Sequence, residues 1–327
     1  MKTKPLLFFS VACGFIVVLA WRLHSSGNNE NIPIEVGTAS AVIPNSSQSG
    51  IQIKNNNIVD GGSHRNARQV ARVISPLPPE NVPLPTIATD LHARAVNGDF
   101  RAACRISFEL GRCNDLSKQR AALDAMISKA EPLSSSTPEQ RENVIAQTKD
   151  EVDKTISICN GLSTKGLLRP WQYLLSAAQA GHVPSMLRFA TNPPIDETNF
   201  ARDLEGWSVY KENALPLLEA ALKKGEPMAA THLAWFYSGF PVAGGSVVDK
   251  DSFQAIRYTQ TALRMANAKS KVSLEKRLAR ISIGVDVGEV QRAKDSGDDL
   301  YLKTFADKKD VAFSATLYKD NGADCQD

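Results

Sequence analysis

The chain has 327 residues, 43% of them hydrophobic and 7% aromatic, which is enough for one or two cores of ordinary size. Lys and Arg number 38 against 35 Asp and Glu, a net charge of +3. The charges are dispersed, and no basic stripe with interleaved aromatics is present, which argues against nucleic acid as a partner.

Residues 1–24 read as a signal anchor or a signal peptide. From Pro5 to Trp21 the chain is apolar except for Ser10, Cys13 and Gly14. As a helix this run is about 25 Å long, the short end of what spans a bilayer. An uncleaved anchor is favoured, because the run exceeds an ordinary signal-peptide core and ends in the interfacial pair Trp21-Arg22. The alternative is cleavage near Val18-Leu19-Ala20, leaving a soluble periplasmic protein. A lipoprotein signal at Cys13 fits less well, since most of the apolar run would follow the cleavage point. Lys2 and Lys4 precede the span and only Arg22 follows closely, so the positive-inside bias exports residues 25–327. The expected location is the bacterial inner membrane, single-pass, with a periplasmic C-terminal domain.

Residues 25–85 read as a flexible linker, rich in Asn, Ser and Gly and then in Pro (ISPLPPENVPLP, 74–85). From Thr86 the pattern is helical. Ile87, Leu91, Ala95 and Val96 mark one face. Ala102, Ala103, Ile106 and Leu110 mark the next, after a turn at Asn97-Gly98-Asp99. A further helix is expected over 115–130. Thr137, Pro138 and Gln140 form a capping-box start for a long polar helix ending near Asn160-Gly161. Pro170-Trp171 opens another unit, which Pro193-Pro194 breaks. Helices are then expected over Glu212–Lys224 and Pro227–Tyr237. Another is expected from Asp251 to about Ala268, with Asp251 or Ser252 as N-cap. One or two more fall within 271–307. The domain ends near 310, and 311–327 read as a frayed tail carrying Cys325. No strand is expected.

Three sites within this domain share one pattern: AVNGDFRAACRI (95–106), AAQAGHVPSMLRF (177–189) and AALKKGEPMAATHL (220–233). In each, an apolar helix reaches a glycine, Gly98, Gly181 or Gly225. A small residue follows four positions later, Ala102, Ser185 or Ala229. A larger apolar residue follows after eight, Ile106, Phe189 or Leu233. The glycine ends one helix at positive φ, the small residue lets helices approach, and the large one fills the space beside them. The stretch from Ala214 to Leu263 resembles the Sel-one-like repeat family, short αα repeats related to tetratricopeptide repeats. The matching residues are Ala220, Ala221, Gly225, Ala229, Leu233, Tyr237, Gly239, Asp249, Ala255, Tyr258 and Ala262. The other two units match at fewer positions. The resemblance implies an all-α fold of αα-hairpin repeats stacked as a short right-handed solenoid, with a concave surface for protein partners. A generic helical bundle is the alternative.

Outside the N-terminal span there are four cysteines: Cys104, Cys113, Cys159 and Cys325. An even number in an oxidising compartment permits two disulfides. Cys104 and Cys113 on one helix would stand about 13 Å apart, too far for a bridge. The expected bridge is Cys113 to Cys159, and four free thiols are the alternative. No metal, cofactor or catalytic motif is found. Glu109, in FELGRC, is a helical carboxylate that a peptidoglycan-cleaving enzyme would use as general acid, but no second group supports it. His182 reads as a polar turn residue after Gly181, and His232 as a structural or surface residue of its helix. Trp207, placed in a loop, is the first choice for surface contact, followed by Trp235 and Phe240.

The leading expectation is an exported, membrane-tethered helical-repeat scaffold, without catalysis, that binds an envelope protein. The alternative from another class is a cell-wall enzyme or its accessory factor. Acidic groove residues with a raised pKa would favour the enzyme, and a dry aromatic patch the scaffold. An inhibitor of a secreted toxin is not separable from the scaffold by sequence.

Overall fold

The computed structural model describes residues 75–128, 137–196, 203–239, 247–313 and 322–325. The expected anchor, most of the linker and Phe240 lie outside them. The described residues form ten α-helices and no strand, so this part of the chain is all-α. Among them no helix is long and apolar enough to cross a membrane.

Helix α1 (Leu84–Val96) begins with Pro85 in its first turn, where a missing N–H costs nothing. It buries Leu84, Ala88, Leu91 and Ala95 at a helical spacing. Helix α2 (Phe100–Ser128) is one continuous helix where the sequence suggested two. Helix α3 (Pro138–Cys159) starts at the expected capping box. Thr137 Oγ1 accepts from the Gln140 N–H at 3.2 Å, and Gln140 Oε1 accepts from the Thr137 N–H at 2.9 Å. Helices α4 (Pro170–Gln179) and α5 (Val183–Thr191) meet at Gly181, whose φ is 96°. A β-carbon there would also press on the Lys224 ammonium.

Helices α6 (Leu204–Lys223) and α7 (Pro227–Tyr237) meet at Gly225 in the same way. Helix α8 (Ser252–Met265) is capped by Asp251, which accepts from the Gln254 N–H at 3.0 Å. Helices α9 (Ala268–Ile281) and α10 (Val287–Thr304) follow, and a 3-10 turn spans Gly322–Cys325.

Each helix packs on helices one or two places away in sequence. Helix α2 contacts α1, α3 and α4, and α8 contacts α7, α9 and α10. The three small residues of the repeated pattern, Ala102, Ser185 and Ala229, are buried. So are the large ones, Ile106, Phe189 and Leu233. Each large side chain contributes roughly 1.5–3 kcal/mol of burial. One core gathers Leu84, Leu91, Ala102, Ile106 and Leu110 with Tyr173. The other runs from Trp171 through Phe189, Trp207, Tyr210 and Leu233 to Phe305.

Three expectations change. The last linker residues belong to the domain, because Leu77 and Leu84 enter the first core. The tail is anchored, because Cys325 is buried and bonded to Cys104. Trp207 is not a surface contact. It lies inside α6 at 3% exposure, edge-on to Tyr210 at 5.6 Å. Gly206 explains the misreading: it is a site of close helix approach rather than a turn. A β-carbon there would come within 2.9 Å of the Trp171 indole nitrogen.

Candidate functional site

Helix α2 continues past its core contacts and becomes polar on one face. Helix α3, the start of α4 and the segment after α5 close around that face. The result is a cleft of about 1680 Å³. Two disulfides hold the helices that build it. Cys113–Cys159 ties α2 to the end of α3, as expected. Cys104–Cys325 ties α2 to the 3-10 turn.

At the base of the cleft is Phe108, 2% exposed. The guanidinium of Arg188, from α5, lies 4.9 Å from its ring centre, and that of Arg112, one turn along α2, lies 5.5 Å away. Cation–π attraction of this kind is worth about 0.5–2 kcal/mol per pair, more as water is excluded. Arg112 also donates to Thr155 Oγ1 on α3 at 3.1 Å.

Glu109 lies beside this cluster at 1% exposure. Its Oε1 is 2.8 Å from Arg105 Nε, and its Oε2 is 3.6 Å from Arg112 Nη1. Burial pushes its carboxyl above the ordinary value, and the attraction of Arg105 and Arg112 opposes that only in part. Oε2 has no hydrogen-bond donor among the protein groups. Glu109 therefore lines the cleft with both oxygens facing guanidinium groups, Oε1 closely and Oε2 at a longer distance.

The wall opposite α2 is organised by Asp203. Its Oδ1 accepts from Arg169 at 2.6 Å and from the Trp171 indole at 3.2 Å. Lys118 on α2 spans the opening, 3.1 Å from Asp115 and 3.5 Å from Asp196. Desolvation of Lys118 opposes its charge, but the two carboxylates outweigh it and the ammonium pKa is raised. The lining thus offers both signs of charge around one aromatic ring. That suits an extended polar chain with several hydrogen-bonding groups better than a compact apolar ligand.

Of the residues singled out for partner contact, Trp235 is 38% exposed and lies under Arg277 at 5.2 Å, away from the cleft. Tyr237 is a packing residue, stacked on Tyr258 at 5.9 Å. Burial raises its phenol pKa. Gly98, Gly181, Gly225 and Gly239 all have positive φ at turns and none lines the cleft. Glu109 is the one sequence-marked residue at the site. Arg112, Arg188, Thr155, Lys118 and Asp203 were missed, because their meeting depends on contacts between helices far apart in sequence. No group of His, Cys, Asp or Glu suited to a metal ion occurs among the described residues.

Comparison of the chain with family models, with curated proteins and with solved structures finds no match in any of the three.

Proposed function

We propose that this protein is an exported, membrane-tethered scaffold whose αα-hairpin repeats stack as a short right-handed solenoid. It binds an extended segment of an envelope protein in the cleft between α2, α3 and the α4–α5 unit. The observation that supports this reading is the cleft itself: it is large, open, of mixed charge, and built around the Arg112–Phe108–Arg188 cluster. Export is supported by the two disulfides, which use all four cysteines outside the N-terminal run.

A second reading, a cell-wall enzyme or its accessory factor, is favoured by one observation. Glu109 lines the groove and its carboxyl is pushed toward the protonated form, as a general acid requires. The ion pair with Arg105 weighs against it, since it ties up one oxygen.

The test is photocrosslinking in the native cells from Ser117 and Thr148, which line the cleft. Crosslinks from both positions to one short segment of one envelope protein, weakened by Arg112→Glu, support the scaffold. Retention on purified cell wall without a protein partner overturns it. Glycan cleavage that is lost in Glu109→Gln would establish the enzyme.

A further inference from the structure

The end of the domain remote in sequence from the cleft-forming helices presents a surface of different chemistry. Helix α9 has five cations, Lys269, Lys271, Lys276, Arg277 and Arg280, against one carboxylate, Glu275, a net charge of +4. It packs mainly on α8 and buries only Ser270 and Leu274 fully. The opposite face is open. At about 100° per residue, Val272 and Ala279 fall in one row along that face, and Ile283 follows in the turn beyond the helix end. Lys269, Lys276 and Arg280 fall in a second row beside it. Val272 is 53% exposed and Ile283 is 80% exposed. Val287, just beyond the turn, is 83% exposed.

Among the described residues, none of the three cations in the second row has an ion-pair partner. Elsewhere on the surface, Lys154 of α3 pairs with Asp150 and Lys303 of α10 with Asp299, both at 2.6 Å. Arg277 feels its neighbours: burial first, then the charge of Arg280, lower its pKa to about 10. It lies over Trp235, a half-exposed ring at the edge of the same surface. The nearest carboxylates in sequence are Glu275 on α9, Asp286, which is engaged as the cap of α10, and Glu289 in the first turn of α10.

An isolated exposed apolar side chain means little, and so does an isolated lysine. A row of apolar side chains beside a row of unpaired cations, with an indole at the margin, is the pattern of a helix lying in the plane of a lipid headgroup region. The cations meet phosphates while the short apolar chains enter the acyl boundary. An acidic protein face would satisfy the cations and leave Val272, Ile283 and Val287 in water or against charge. We propose that the α9 face docks on an anionic phospholipid bilayer, and that it thereby fixes the orientation of the domain on the membrane surface. This inference does not depend on what occupies the cleft.

The test uses the full chain carrying Cys13→Ser and Ala279→Cys, labelled at position 279 with a polarity-sensitive dye. It is added to vesicles of phosphatidylcholine alone or of equal parts phosphatidylcholine and phosphatidylglycerol. The apolar N-terminal run would enter both, so only the dye reports on α9. The expected result is a blue shift in the anionic vesicles alone, reversed by high salt. Each surface cation raises partitioning about fivefold, so Lys276→Glu with Arg280→Glu weakens this docking by at least about 25-fold. Lys149→Glu with Lys154→Glu on α3 changes net charge equally and leaves the shift intact. Absence of a shift, an equal shift in both vesicles, or a shift that survives reversal at 276 and 280 overturns the proposal. So does a shift produced only by a co-purified acidic protein.

Discussion

Stability should fall on mild acidification through one histidine. His232 sits within α7 at 8% exposure, and its Nε2 has no hydrogen-bond partner among the protein groups. Burial first, and then the nearby positive charge of Arg277, lower its pKa from 6.5 to about 4. The unfolded chain therefore binds more protons than the folded one between these values, and stability rises with pH across that window. The contribution is fully present above pH 6.5 and is lost as the pH falls toward 4. A depression from 6.5 to about 4 corresponds to about 3 kcal/mol, most of which is lost by about pH 4.5. Urea denaturation at neutral pH and near pH 4.5 gives the change for the natural chain. His232→Gln supplies the reference, since it shares every other titrating group. The natural chain should lose about 2–3 kcal/mol more than the variant. Equal losses in the two would refute the reasoning, because they would mean that the imidazole accepts its proton in place.

The two disulfides differ in the loop they close. Chain-entropy arguments give about 5 kcal/mol for Cys104–Cys325, with a sequence separation of 221, and about 4 kcal/mol for Cys113–Cys159, with a separation of 46. Paired alanine replacements compared by chemical denaturation should show the first costing more. Gly297→Ala should destabilise by more than about 2 kcal/mol, although alanine is favoured over glycine within a helix by about 1 kcal/mol. A β-carbon at 297 would run into the Arg257 carbonyl and approach Gln260 Cβ to 2.8 Å, so α10 would have to move off α8. Thermal melting decides this. Asp251→Ala removes the cap of α8 and should cost about 1 kcal/mol, with Asp251→Asn retaining most of it.

Local chemistry made several elements legible. The capping box at Thr137, the cap at Asp251 and the Pro227–Tyr237 helix all rest on groups within a few residues of one another. The glycines at 98, 181 and 225 were legible because positive φ excludes most other residues at little cost to glycine. The run of α2 through Asn114 and Asp115 was not, since propensity there is weak and packing against α3 and α4 keeps the helix intact. Trp207 was misread because Asp203 and Gly206 resemble loop residues. In the fold they serve the Trp171 indole, one as acceptor and one as clearance. Cys325 followed polar residues and gave no sign of its partner 221 positions earlier. The cleft was the least legible feature of all. Glu109, Arg188 and Asp203 have no shared pattern in the sequence, and only the folded chain brings them to one cleft.

The bond between Cys104 and Cys325 also decides how the domain bears a load. A linear helical array ordinarily unravels from its last helix inward, one unit at a time. Here, tension applied between residue 75 and residue 325 passes along α1 and the first turn of α2, then crosses the sulfur bridge. Everything from residue 105 to residue 324 lies outside the line of force. A pull that straightens α1 would draw Glu80 from the cleft lining but leave the walls from α2 onward and the α9 face outside the line of force, and reduction of that one bond would place them under strain.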